Sequence, residues 1–261
     1  LIMPTIRLNS RLVSFALLFC LSFGANAAKL TINMLYLEQP KEAIYGLANT
    51  LTPPEDQGLQ GVNTGIADSN STGKFLGQKY QAETFINEDP KALIEHAKTW
   101  LAGADNHTII ANVSKQTLLE LSKITAANKR PIVFNVAVKD NILRQTQCKS
   151  GLLHTIPSRV MLSDALVQFL NRKRWKKVLL INGTQAEDTL YSDSLKYSMR
   201  RFGGKIIKEK TWSFDSDLRR LAQKEVPLFT QAKDYDIVLI ADELGYFGDY
   251  ILYNTWLPRP V

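Results

Sequence analysis

The chain has 261 residues, 45% of them hydrophobic and 22% charged, with 14 glycines, 10 prolines and two cysteines. That balance excludes a disordered, collagen-like or disulfide-stapled chain and leaves room for two small globular units. Lys and Arg outnumber Asp and Glu by 32 to 25, a formal net charge of +7, but the cations are scattered and form no nucleic-acid footprint.

In chain order the first element is a leader. Arg7 and Arg11 precede an apolar run from Leu12 to Phe23, and Ala25-Asn26-Ala27 supplies the small-x-small pattern of a signal-peptidase site. The run falls short of the roughly 20 residues that span a bilayer. Residues 1–27 are therefore expected to be a cleaved secretory signal peptide. Leu17-Leu18-Phe19 is too bulky before Cys20 for a lipid-attachment site, so Cys148 is left alone, expected as a packed thiol with no disulfide partner. Cleavage removes two cations and no acid, leaving 30 against 25, or +5.

From Lys29 onward strands and helices alternate. Leu30–Leu37 reads as a buried strand, followed by a helix within Asp56–Ser69, a turn at Asn70-Ser-Thr-Gly73 and a strand over Tyr80–Ile86. Asp89-Pro90 opens a helix with Leu93, Ile94, Ala97 and Leu101 at helical spacing. A strand at His107–Asn112, a helix at Lys115–Asn128 and a strand at Pro131–Val136 complete the first half. Leu152–Thr155 is a short extended piece before Ile156-Pro157-Ser158, and Ser158 caps the next helix, which carries Val160, Leu162, Ala165, Leu166, Phe169 and Leu170. Its end bears the densest basic run, Arg172-Lys173-Arg174-Trp175-Lys176-Lys177, where the helix dipole favours cations. Strand Lys177–Ile181, helix Asp188–Phe202 with a Gly203-Gly204 stop, strand Lys205–Trp212, helix Asp215–Gln223 and strand Tyr235–Ala241 follow. This alternation implies an α/β fold of parallel sheets with crossover helices. The two halves are expected as two lobes, residues 28–156 and 157–254, with the boundary near Thr155–Ser158.

No catalytic or cofactor motif stands in the chain. Gly58, Gly61 and Gly65 miss the G-x-G-x-x-G spacing. Asp68 and Phe75 break a phosphate loop around Gly73-Lys74, and there is no G-x-S-x-G elbow. His96, His107 and His154 have no ligand-spaced partner, and His96 reads as a surface residue. No metal, cofactor or catalytic residue is expected. In open parallel sheets the crevice for a ligand lies beyond the carboxyl ends of the strands, so two such sheets facing each other would enclose a cleft that closes by a hinge. The strand-end candidates are Tyr36, Glu38, Asn112, Ser114 and Asn135 from the first half. From the second they are Asn182, Thr184, Glu187, Asp242, Glu243 and Tyr246. Ser114 before a helix is suited to a carboxylate, and equally to an ordinary N-cap. Asp242 and Glu243 read either as partners for a cationic group or as a turn-forming acidic pair. Tyr36, Tyr246 and Phe247 offer stacking surface or plain core.

Three stretches carry a resemblance: Cys148–Leu170 (CKSGLLHTIPSRVMLSDALVQFL), Asp234–Asp249 (DYDIVLIADELGYFGD) and Thr255–Val261 (TWLPRPV). The chain resembles the substrate-binding components of ABC transporters, in the group associated with pyrroloquinoline quinone-dependent alcohol dehydrogenase systems. That group looks like an offshoot of the type I periplasmic binding proteins for branched-chain amino acids. The resemblance implies a two-lobed fold, a periplasmic location, a small-molecule ligand, an inner-membrane ABC permease as partner and a monomeric state. Members of that fold are longer, so residues 255–261 are expected to begin a return crossing with the C-terminal part missing. Tyr36-Leu-Glu-Gln-Pro40 replaces the Gly/Pro-rich loop of the amino-acid binders, which argues against branched-chain specificity. Two rival readings remain: a sensor module feeding a membrane receptor, and a secreted hydrolase or lyase using Asp242 or Glu187.

Overall fold

The computed structural model describes residues 30–40, 54, 56–103, 106–128, 131–212, 218–256 and 259–261. The leader with its cleavage site and the start of the helix expected from Asp215 lie outside them.

Five parallel strands make the first sheet: β1 (Leu30–Glu38), β2 (Gln78–Ile86), β3 (Asn106–Asn112), β4 (Ile132–Asn135) and β5 (Leu152–His154), in the order β2-β1-β3-β4-β5. Alternation sorts the side chains. Leu35, Leu37, Ile109, Ala111 and Val133 share one fully buried face. Against it pack Leu93, Ala97 and Trp100 of α2 (Pro90–Leu101) and Leu118 and Leu121 of α3 (Lys115–Asn128). Each buried Leu or Ile contributes about 1.5–3 kcal/mol, so this face holds the register, with Leu35 opposite Ile109 and Ile109 opposite Val133. The opposite face, with Tyr36, Ile110 and Asn112, turns towards α1 (Gln57–Leu76).

Three further parallel strands make the second sheet, in the order β7-β6-β8: β6 (Lys177–Asn182), β7 (Lys205–Thr211) and β8 (Ile237–Ala241). Its central strand is buried on both faces, which is why Val178–Ile181 reads as a continuous apolar run. Val178, Leu180 and Leu239 meet Val167 and Leu170 of α4 (Arg159–Arg172) and Leu195 and Met199 of α5 (Ala186–Arg201). Leu179, Ile181 and Val238 meet Val226 and Phe229 of α6 (Leu218–Phe229) and Ile251 of the short α7 (Gly248–Leu252). The expected caps are present: Asp89 accepts from the Lys91 N–H and Ser158 from the Met161 N–H.

Three local expectations are corrected. Asn70-Ser-Thr-Gly73 is helix, not turn, and α1 continues to Leu76. The Asn70 side chain exchanges two 2.8 Å hydrogen bonds with the Tyr80 backbone. A Cβ on Gly73 would lie 2.5 Å from the Gln78 carbonyl oxygen, so this glycine permits close approach of β2. The chain turns instead at Gly77, at φ 68°. Second, α6 runs past Gln223 and through Pro227 to Phe229, because Ala222, Val226 and Phe229 recur on one buried face. Third, Cys148 is exposed instead of packed.

Candidate functional site

The carboxyl ends of β1 and β3 are adjacent, with Glu38 opposite Asn112 in the register. Tyr36 donates from its hydroxyl to Glu38 Oε2 at 2.8 Å and accepts from Asn112 Nδ2 at 3.1 Å. Burial foremost pushes the Tyr36 phenol up to about 12; the Asn112 hydrogen bond opposes that and the Glu38 carboxylate adds to it. The phenol is therefore a neutral hydrogen-bonding group at physiological pH. Below it lies a cavity of about 480 Å³ between α1 and the sheet, lined by Met34, Ile110, Val136 and the glycines at 58, 61 and 65. Gly58 makes room for the polar rim: a Cβ there would fall 2.2 Å from Tyr36 Oη and 3.0 Å from Asn112 Nδ2. An apolar hollow with a few converging polar groups is the usual form of a small-molecule site.

Ser114 precedes α3, and its backbone N–H donates to Gln39 Oε1 at 3.1 Å. Its hydroxyl lies 2.9 Å from that of Thr117, which donates in turn to the same Gln39 oxygen at 2.9 Å. Gln39, not singled out from the sequence, thus ties the end of β1 to the start of α3. Asn135 is fully buried and its capacity is filled from within: Oδ1 accepts from Ala137 and Val138 N–H, while Nδ2 reaches Val138 O and His154 Nδ1. It anchors the turn after β4.

On the second sheet, Asn182 is buried and donates to Glu209 at 2.5 Å. Thr184 and Glu187 are exposed on the turn into α5. Asp242 accepts three backbone N–H bonds, from Tyr246, Phe247 and Gly248, at 2.9, 2.8 and 2.7 Å, and so shapes the entry to α7. Tyr246 is partly buried against the core of the second sheet. Asp188, also not singled out, joins the loops after β6 and β8 by accepting from Glu243 N–H at 2.8 Å and Gln185 N–H at 3.3 Å. Burial raises its pKa above the usual carboxylate range, the two N–H bonds oppose that, and the charges of Asp242 and Glu187 reinforce it.

The two sets of strand ends meet through ions. Arg159, the first residue of α4, is 6% exposed. It donates from Nε to Glu243 Oε2 at 2.5 Å and from Nη1 to Asp140 Oδ2 at 2.9 Å. Lys115 holds the other Asp140 oxygen at 2.7 Å, and Lys139 lies 3.5 Å from Glu243. Burial works against the Asp140 charge, but Lys115 and Arg159 outweigh it and lower its pKa. Glu243 and Asp140 are thereby committed to the junction between the sheets. His96 is partly buried, stacked on Phe85 at 3.9 Å and 3.0 Å from Glu83. Trp212, at the carboxyl end of β7, is buried and stacked on Phe247 with ring centroids 6.2 Å apart, whereas Trp256 is 62% exposed.

Among known proteins, the family described as periplasmic binding protein matches residues 51–241. No curated protein matches the chain. Solved structures match its architecture. An ABC transporter substrate-binding protein from Desulfitobacterium hafniense gives a TM-score of 0.62 at 15% identity, covering 86% of this chain and 62% of its own. A branched-chain amino acid ABC transporter periplasmic ligand-binding protein from Burkholderia xenovorans gives 0.61 at 16% identity, covering 79% and 52%. A solute-binding protein from R. palustris in complex with benzoate gives 0.52 at 15% identity, covering 80% and 55%. The chain therefore spans between 52% and 62% of the length of these structures.

Proposed function

The chain belongs to the periplasmic binding protein family, and on that footing we propose that it captures a small solute between two lobes and hands it to an inner-membrane ABC permease. The observation that carries this reading is the meeting of the loops after β4 and β8, where Lys139 and Arg159 share Glu243. In this reading the polar strand ends of both sheets face one crevice, the place where ligand sites in parallel sheets lie. In this reading Tyr36, Asn112, Ser114, Thr184, Glu187 and Tyr246 contact the solute. Glu38, Asn135, Asn182, Asp242 and Glu243 hold them in place through the hydrogen bonds described above. A ligand that touches both lobes stabilises the closed form by its differential affinity, and the permease reads that form.

The leader at residues 1–27 supports periplasmic delivery. The resemblance of Cys148–Leu170 and Asp234–Asp249 supports a link to quinoprotein alcohol oxidation, and Arg159 and Glu243 come one from each of these stretches. Structural relatives carry Leu and benzoate, so carboxylate-bearing solutes belong in the test. The experiment is a titration of Trp212 fluorescence with pyrroloquinoline quinone, short alcohols and their acids, leucine and benzoate. Saturable binding without consumption supports the proposal. Turnover that vanishes in Asp242→Ala would replace it with the hydrolase or lyase reading, and capture of a receptor ectodomain in place of a permease would favour the sensor.

A further inference from the structure

The end of the second sheet opposite the crevice carries charge that the solute-binding reading does not use. Arg172, Lys173, Arg174, Lys176 and Lys177 leave α4 for β6, and all five are exposed. Lys205 opens β7 beside them, its N–H donating to the Lys176 carbonyl at 2.7 Å. Two carboxylates stand close by, and both are committed. Asp234 pairs with Lys177 at 2.6 Å, and Asp236 accepts the backbone N–H groups of Lys176 and Lys177. Among the described residues, Arg172, Lys173, Arg174, Lys176 and Lys205 have no ion-pair partner.

The backbone marks the same loop. Helix α4 ends in a Schellman-type turn, with Trp175 N–H bonded to the Leu170 carbonyl and Arg174 at φ 63°. That left-handed position is the one where glycine is the low-strain residue. Arginine occupies it here, so strain is accepted where the charge stands. One turn earlier Phe169 is 50% exposed, with the Lys173 ammonium 5.6 Å above its ring, and Leu162 and Ala165 continue the exposed apolar stripe on the same helix. Unpaired cations flanking an exposed aromatic and a short apolar stripe are the pattern of a surface that lies against anionic lipid headgroups.

We infer that this basic end of the second sheet docks the protein peripherally on an anionic phospholipid surface. The orientation is consistent with solute capture. Lys177 and Lys205 begin their strands while the crevice residues end theirs, so the docked face and the crevice point in opposite directions. A headgroup phosphate, not an acidic protein, is the partner of choice because an exposed apolar stripe beside the charge finds a complement in the headgroup–acyl boundary.

The test is co-sedimentation of the full chain with phosphatidylcholine vesicles, with and without phosphatidylglycerol, at low and physiological salt. Binding is expected only with phosphatidylglycerol and is expected to weaken with salt. Each cation removed should weaken it about fivefold. Arg174→Gly is the decisive single variant, because it removes one cation and so lowers vesicle affinity, while relieving the left-handed backbone so that thermal stability does not fall. Arg172→Gln/Lys173→Gln/Arg174→Gly/Lys176→Gln should abolish binding while leaving solute titrations unchanged. The apolar run at residues 12–23 is common to every variant, so binding that survives undiminished in the quadruple variant would arise outside this basic end and overturn the inference. Equal binding to neutral vesicles, or retention of an acidic polypeptide but not of phosphatidylglycerol vesicles, would overturn it as well.

Discussion

Arg159 is the single side chain whose loss should most weaken the junction between the sheets. Its side chain is 7% exposed, and those of Asp140 and Glu243 are 10% and 14% exposed. Removing one member of such a buried arrangement strands charge on the others, at a cost of about 3–5 kcal/mol. Lys115 would still hold Asp140 at 2.7 Å and Lys139 would remain 3.5 Å from Glu243. Arg159→Met, which keeps the stem volume, should therefore cost about 2–3 kcal/mol, below that range. A domain has about 5–15 kcal/mol of stability in all, so the urea midpoint should move visibly at unchanged slope. Arg159→Lys should recover little, since one ammonium cannot reproduce the Nε and Nη1 fork that reaches both carboxylates. In a cycle with Glu243→Gln, the coupling should be at least about 1 kcal/mol. An Arg159→Met variant within about 0.5 kcal/mol of the parent, or an additive cycle, would refute the idea that these ions hold the junction.

The cavity under α1 gives a paired expectation. Gly58→Ala drives a methyl group into Tyr36 Oη and should destabilise by about 1–3 kcal/mol, whereas Gly61→Ala meets nothing within 4 Å and should gain about 0.5–1 kcal/mol of helix propensity; thermal melts compare the two. Asp242→Ala strands three N–H groups and should cost about 1–3 kcal/mol, with faster amide exchange at Tyr246, Phe247 and Gly248. Burial and the charge of Arg144 lower the His154 pKa, against a backbone hydrogen bond at Leu143. Its stabilising share is complete above the unfolded value of 6.5 and is lost as pH falls from there through the folded value. His154→Gln should flatten stability against pH in that window. Asp140, also lowered, loses its share only as pH falls below the carboxylate range. Asp188, raised, behaves oppositely: its share is present below the unfolded carboxylate value and is lost as pH rises through the folded one.

What could be read from the chain divides along physical lines. Strands and helices were legible where burial imposes a continuous apolar run, as in β6, or where a cap announces a start, as at Asp89 and Ser158. Asn70–Gly73 misled because its composition is turn-like locally, while its conformation is decided by β2, five to ten residues on. The grouping of Tyr36, Glu38 and Asn112 followed from strand ends in a parallel sheet. What those ends do did not follow, because the bonds that commit Asn135 and Asp242 are made to the turns after them.

Arg159 and Lys115 were passed over although the sequence held a cue to both. Each opens a helix, the end where the dipole disfavours a cation. A cation there persists where a carboxylate compensates it, and both point at Asp140, from opposite sides of the crossing between the sheets. Two helix N-termini, Arg159 and Lys115 thus concentrate positive potential at the junction, and Asp140 and Glu243 balance it. Here both first-turn cations are met by acids from elsewhere in the chain, Lys115 by Asp140 and Arg159 by Asp140 and Glu243, so the loops after β4 and β8 are drawn to the starts of these two helices.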